Sequence, residues 1–291
     1  MQETFNTMLE TTMLFASVET PHIAARLAEV ERLRSRIDAL KIACPDIWPT
    51  IQEKFRIFWT ADSNAIEGSS LTRAETAFFL REGLTVEGKP LKEYLDARNH
   101  AEAIDHLEEI VRANRSITPS FLKELNALLL KGIEWTPAVN EHGKPVRKVA
   151  RPGEYKSAPN HVLQLDGTIH YYFEPLQVPG AIEHLCSQIA EAETSKSPHP
   201  VIVAALSHYE LVRIHPFDDG NGRGARLLMN LILMRSGYPP AVIPPEKRRA
   251  YLEAIRAADR GDHTIFCSFI ADTLYATEKA IAHDLGIMEN G

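Results

Sequence analysis

Apolar residues recur every three or four positions through nearly all of this 291-residue chain, and that period commits it to packed helices rather than sheets. Ile23, Leu27, Val30, Leu33, Ile37 and Leu40 trace a first face, ended by Cys44-Pro45. Trp48, Ile51, Phe55, Phe58 and Trp59 trace a second, which the polar stretch Asp62 to Ser70 interrupts or follows. Thr72 with Glu75 spells a capping box, opening a helix to about Arg81 that Gly83 stops. A long helix is expected from Pro90 to Ala113, and Thr118-Pro119 caps the next, ended by Gly132. Later helices are expected at Gly180 to Glu193, His199 to Ile214, Asn221 to Ser236, Glu246 to Ala258 and Asp262 to His283. Between Val146 and Pro175 the period changes to two. There HVLQL and TIHYYF flank Asp166-Gly167, the pair a type I′ turn prefers, which predicts one hairpin in an otherwise all-α fold. Residues 1–114 read as an N-terminal helical region and 115–291 as a core with C-terminal helices, meeting near Arg115 at a packed interface.

The charge balance narrows the function. Thirty-two Lys and Arg against thirty-nine Asp and Glu give −7, so no overall positive field draws nucleic acid or an anionic membrane. Cys44, Cys186 and Cys267 are odd in number and widely spaced, which signals neither a disulfide framework nor a zinc ribbon and fits a reducing cytoplasm. The start, MQETFNTMLE, lacks a basic leader, and no apolar run approaches the roughly 20 residues a spanning helix needs.

Residues 208 to 226, HYELVRIHPFDDGNGRGAR, place a helix before His215, a tight loop after it and a second helix from about Asn221. Gly220 and Gly222 permit close backbone approach, so amide N–H groups at a helix N-terminus can face phosphate oxygens. Arg223 and Arg226 lie on one helix face and can present two guanidinium forks. Asp218 and Asp219 stand at the mouth, where a carboxylate repels phosphate unless Mg²⁺ bridges them. His215 can accept a proton from an attacking hydroxyl near neutral pH. Each feature alone has a plainer reading: a capping histidine, a solvated turn, an exposed arginine face. GNGRGA mimics a dinucleotide fingerprint, but helical residues rather than a strand precede it.

His215-Pro-Phe-Asp-Asp-Gly-Asn-Gly-Arg-Gly-Ala-Arg226 resembles the Fic signature H-x-F-x-[DE]-G-N-G-R-x-x-R at every specified position. That resemblance implies an α-helical protein adenylyltransferase that moves AMP from MgATP onto a Ser, Thr or Tyr hydroxyl of a target protein. By it, His215 is the general base, Asp219 holds Mg²⁺, Gly220, Asn221 and Gly222 surround the α- and β-phosphates, and Arg223 and Arg226 bind the distal phosphates. Phe217 is a packing anchor. Upstream, Ser63-Asn64-Ala65-Ile66-Glu67-Gly68 looks like the inhibitory motif [ST]-x-x-x-E-[GN], in the class with an N-terminal inhibitory helix. Its Glu67 would pair with Arg226 and obstruct the γ-phosphate. The resemblance spans roughly residues 50 to 275. It makes the hairpin a flap that aligns the target segment, and places Tyr251 at the base pocket with Asp259 where relatives have Asn. Gly153-Glu154-Tyr155-Lys156 departs from the family's G-x-[YF]-R by Lys for Arg, which bears on the flap's contacts. The rival readings are removal of AMP, transfer of another nucleotide or phosphoryl transfer, against which the intact G-N-G-R-x-x-R argues, a catalytically silent peptide- or nucleotide-binding module, and a metal-dependent phosphohydrolase using His208, His215 and Asp219. Expected partners are a target protein and a possible homo-oligomer, without nucleic acid or membrane. Residues 1–45 and the tail after Ala276 carry no interpretable signal.

Overall fold

The computed structural model describes residues 18, 20–139, 144–163 and 169–287. Helices α1 (Pro21–Ala43), α2 (Trp48–Ile66), α3 (Arg73–Glu82), α4 (Leu91–Arg112) and α5 (Pro119–Leu129) come first. Two small ladders follow, β1 (Trp135–Val139) with β2 (Pro145–Val149) and β3 (Val162–Leu163) with β4 (Ile169–His170). Helices α6 (Val178–Ser195), α7 (Pro200–Ile214), α8 (Asn221–Arg235), α9 (Arg248–Asp259) and α10 (His263–Asp284) complete the chain. The expected all-α class with a small antiparallel element is what the chain adopts.

Two helices make the centre. From Val201 to Leu211 every residue of α7 is buried, and α8 is buried continuously from Ala225 to Leu233. A helix apolar on all sides must be enclosed, and α1, α4, α5, α6, α9 and α10 all contribute to the one core around this pair. The loop 215–220 between α7 and α8 thus stands on the buried centre of the fold. A second cluster, Leu33, Ile37, Ile51, Phe55, Ile281 and Ala282, fixes α2 between α1 and α10. Polar ties repeat that placement: Arg56 grips Asp105 of α4 through two bonds of 2.6 Å, and Lys54 reaches Asp284 of α10 at 2.6 Å.

Local signals explain the helix ends. The Thr72–Glu75 capping box forms with both reciprocal bonds, and Gly83 ends α3 in the left-handed conformation. Thr118 accepts from Phe121 N to open α5. Two expectations need correction. Only Glu67 to Ser70 of the polar stretch follow α2: the helix runs on through Asp62, Ser63 and Asn64 to Ile66, with all three side chains buried. They are tolerated there because each has a partner, Asp62 taking a bidentate grip from Arg73 at 2.8 and 2.5 Å, Ser63 bonding Arg226, and Asn64 donating to Thr60 O. The hairpin read as the sole β element is joined by a second ladder, β1–β2, whose register runs from Trp135 opposite Val149 to Val139 opposite Pro145. Pro137 disguised β1, since a central proline argues against a strand. The anticipated ladder pairs Val162 with His170 and Leu163 with Ile169, and its Asp166-Gly167 turn lies outside the described residues.

Candidate active site

His215 caps the C-terminus of α7 with φ +51°, a left-handed conformation that few non-glycine residues adopt. Its imidazole contacts Val212 O through Nδ1 at 3.3 Å. A carbonyl only accepts, so this contact requires Nδ1–H and leaves Nε2 with a free lone pair. Burial pushes the pKa of His215 down to about 3, reinforced by the Lys156 cation, so the ring is neutral at physiological pH. A neutral imidazole with a free nitrogen is ready to accept a proton.

The loop is braced from behind. Asn221 accepts from Phe217 N (3.0 Å) and donates to Phe217 O (2.8 Å), closing the turn on itself. Phe217 is 4% exposed and meets the ring of Tyr155 at 5.6 Å, which makes it the packing anchor of the loop. Asn126 of α5, buried and far away in sequence, accepts from Gly153 N and donates to Asp219 O. Lys156, at the departure from the family segment, is 3% exposed; its N–H donates to Pro216 O and its ammonium to Asn160 Oδ1. It anchors the loop.

Gly220 precedes α8 at φ +80°, and no side chain caps the helix. The first amides of α8 therefore lack intrahelical acceptors and carry the positive end of the helix dipole. Asp218 and Asp219 separate in function. Asp218 takes Lys148 of β2 at 2.7 Å and Arg151 at 3.0 Å, and despite burial these cations hold its carboxyl below the usual range. Asp219 accepts Gly220 N at Oδ1 and faces Arg223 at 3.6 Å through the same oxygen.

Arg223 and Arg226 are both buried, at 3% exposure each. Arg223 donates to Asp96 of α4 at 2.6 Å. Arg226 donates through Nε to Ser63 Oγ (3.0 Å) and through Nη2 to Ser63 O (2.9 Å) and Glu67 Oε1 (2.7 Å). Desolvation alone would raise the pKa of Glu67, but Arg226, then Arg223 and Arg248, hold it below its ordinary value. Arg248 also fastens the end of α2 by donating to Ile66 O at 2.7 Å. The Glu67 carboxylate presses on the start of α8 so closely that a Cβ at Gly222 would lie 2.4 Å from Oε1. With Glu67 in this place, a side chain at Gly222 would have to displace the carboxylate.

Tyr251 is 2% exposed; its hydroxyl shares a hydrogen bond with His208 Nε2 at 2.9 Å and accepts from Arg226 Nη1 at 3.5 Å. His208 packs against Phe266 and is directed to Tyr251 rather than to His215, contrary to the rival hydrolase triad. Asp259 accepts from Tyr209 at 3.2 Å and lies 3.9 Å from His170. Sequence reasoning missed Asp96, Asn126, Asn160 and Tyr172; Asp96 alone carried a local hint, a charged residue set between Tyr94 and Ala97 on the buried face of α4.

His100, His208 and His215 all have pKa values depressed by burial, His208 to about 3 and His100 well below its ordinary value. The folded state binds fewer protons than the unfolded chain between those values and about 6.5, so stability is complete above about 6.5 and lost as pH falls. The urea midpoint is expected to drop from pH 7 to pH 5, the three histidines outweighing Glu278, whose carboxyl burial pushes up to about 8 and which acts in the opposite sense over that range. A flat profile would contradict the buried neutral histidines.

Comparison with known proteins agrees with this geometry. The Fic/DOC family matches residues 116–233. The protein adenylyltransferase Fic of Drosophila willistoni is 33% identical over 261 residues, 88% of this chain and 47% of its own length. This chain spans less than half the length of such curated relatives. The crystal structure of a Fic domain-containing signaling protein from Bacteroides thetaiotaomicron is 30% identical with TM-score 0.79, over 90% of this chain and 100% of that one. Fic-1 of C. elegans (residues 134–508) is 25% identical with TM-score 0.71, over 91% and 72%. Among the described residues no helix is long and apolar enough to cross a membrane. With signature loop, helical frame and full coverage of a solved relative in agreement, the chain belongs to the Fic/DOC family.

Proposed function

We propose that this chain transfers AMP from ATP to a serine, threonine or tyrosine hydroxyl of a target protein, and that Glu67 holds it inactive at rest. The observation that carries the reading is a neutral imidazole, open at Nε2, on the loop that leads into an uncapped helix N-terminus with two buried guanidiniums. The hydroxyl oxygen attacks the α-phosphorus while His215 Nε2 takes its proton. The bond from the α-phosphorus to the bridging oxygen breaks, and pyrophosphate leaves with the electron pair. The amides of Asn221 and Gly222 and the charges of Arg223 and Arg226 stabilise the phosphates, so positioning and charge neutralisation supply most of the rate. Tyr251 acts on Arg226, holding the guanidinium for the nucleotide. Three free thiols, Cys44, Cys186 and Cys267, fit a cytoplasmic setting.

The donor set fits Mg²⁺. Among the described residues no cluster of three acidic, histidine or cysteine ligands converges, but Mg²⁺ on a nucleotide needs only one or two carboxylates, the rest of its shell being phosphate and water. Asp219 keeps both its contacts on Oδ1, which leaves Oδ2 to hold the ion. When bound, Mg²⁺ would neutralise phosphate charge. Asp219→Ala is expected to abolish the Mg²⁺ dependence of ATP binding; calorimetric titration showing that dependence intact would count against the assignment.

The β3–β4 hairpin is the proposed dock for an extended target segment. Among the described residues the ladder pairs with no further strand, so its edge offers unpaired main-chain groups. Backbone N–H directions alternate along a strand, so one of Val162 and Leu163 faces that edge. Proline at the edge-facing position should depress transfer to protein while ATP binding and melting temperature stay near wild type. Parallel losses in stability would indicate a structural hairpin.

The reading is tested by incubating the Glu67→Gly chain with ATP labelled at the α- or the γ-phosphate. α-Label on protein means AMP transfer. γ-Label means phosphoryl transfer, and neither means a silent binding module or hydrolysis; either result refutes the proposal.

A further inference from the structure

Tyr172, two residues beyond β4, lays its ring on the imidazole of His215, with centroids 3.8 Å apart and planes 19° from parallel. Among the described residues no other ring contact in the site is as close or as nearly parallel. The tyrosine is itself held in place. Its N–H donates to His161 Nδ1 at 3.2 Å, tying the segment after β4 to the residue before β3, and His170 meets its ring edge-on at 4.7 Å. The Lys156 ammonium stands 5.8 Å above the same ring. Among the described residues no hydrogen bond uses the Tyr172 hydroxyl, so the aromatic face is the part the structure employs.

His215 needs such a support. Its backbone is fixed by the helix cap, His215 N to Leu211 O at 3.0 Å, but its side chain has one polar contact, the 3.3 Å approach of Nδ1 to Val212 O. A bond of that length constrains the plane of a ring weakly. A ring lying nearly parallel against it at 3.8 Å restricts its rotation through close contact over the whole face.

We propose that Tyr172 is a positioning residue for the general base: its ring sets the plane of the His215 imidazole so that Nε2 faces the phosphate cradle, and it ties that orientation to the β3–β4 hairpin. The inference rests on the AMP-transfer reading and deepens it. Because Tyr172 is locked to both ends of the hairpin, a target strand docked there presses on the element that aligns the base. Docking and proton acceptance are then linked through one side chain.

The groups facing His215 are Lys156 from the segment before the hairpin, His170 from β4, Glu67 from the end of α2 and the Val212 carbonyl of α7. Burial, to which the Tyr172 ring contributes, is the leading cause of its depressed pKa. The test compares Tyr172→Ala and Tyr172→Phe in the full chain carrying Glu67→Gly, reading steady-state AMP transfer and the NMR titration of His215. Tyr172→Ala is expected to lower kcat by roughly tenfold to a hundredfold, with KM for ATP within about twofold, because misplacement of about 1 Å is worth that much. The His215 titration should move up toward the ordinary value of about 6.5. Tyr172→Phe keeps the ring and should restore both readouts, and its melting temperature controls for folding. The proposal is overturned if Tyr172→Ala leaves kcat unchanged, if kcat falls with the His215 titration unmoved, or if Tyr172→Phe loses as much as Tyr172→Ala. A Glu67→Gly chain that transfers no label at all refutes the AMP-transfer reading instead. In that case the titration decides alone, an unmoved His215 overturning the stack and a raised one supporting it.

Discussion

His215→Ala is expected to lower AMP transfer by about 10²–10⁴-fold, the range a positioned general base contributes, while ATP affinity changes by no more than a few fold. In the proposed reaction the imidazole faces the incoming hydroxyl, whereas the amides of α8, Arg223 and Arg226 would hold the nucleotide. Removing the ring also leaves the loop intact, because Asn221, Asn126, Lys156 and Asn160 brace its backbone rather than the His215 side chain. With a pKa of about 3 the base is deprotonated from pH 5.5 upward, so the wild-type rate should show no inflection near 6.5 from this residue. Transfer at the wild-type rate in His215→Ala, measured beside ATP binding by calorimetry, would remove the histidine from the mechanism.

Glu67→Gly is expected to raise transfer by at least roughly tenfold, equivalent to about 1.4 kcal/mol of competition relieved at Arg226. The carboxylate holds the guanidinium at 2.7 Å and covers the start of α8 at Gly222, so an incoming phosphate meets both an occupied cation and a like charge. The guanidinium does not collapse when Glu67 is lost. Two bonds from Ser63 still hold its Nε and Nη2, leaving Arg226 aimed at the site. Arg226→Ala in the Glu67→Gly background should therefore cancel the gain. If Glu67→Gly leaves the initial rate unchanged or lower, Glu67 is a structural residue at the end of α2.

What could be read from the sequence was local. The turn from His215 to Gly220 and the helix after it are specified by neighbours in the chain, by a helix stop, a proline and two glycines, so both are legible in their order alone. The capping box at Thr72 is local in the same sense. The polar end of α2 looked like a loop because Asp62, Ser63 and Asn64 are unfavourable on a buried helix face, and their partners Arg73 and Arg226 are out of sight in a linear reading. The bond from Asp96 to Arg223 joins positions 127 apart, and that from Ser63 to Arg226 positions 163 apart. No periodicity encodes such pairs. Tyr172 was hidden for another reason: as part of TIHYYF it satisfied the alternation of a strand, and only the folded hairpin brings its ring onto His215. β1 was masked by Pro137, which an edge ladder tolerates and a central strand does not.

In the proposed function one glutamate closes a site whose chemistry depends on one histidine. The most direct measurement is the initial rate of α-label incorporation into protein for the wild-type chain, Glu67→Gly and Glu67→Gly with His215→Ala, run side by side with the γ-label as control. A rise of roughly tenfold or more in the single variant, its loss in the double variant, and γ-label absent from protein throughout are the results expected. An equal rate in all three chains, or γ-label retained on protein, would contradict it.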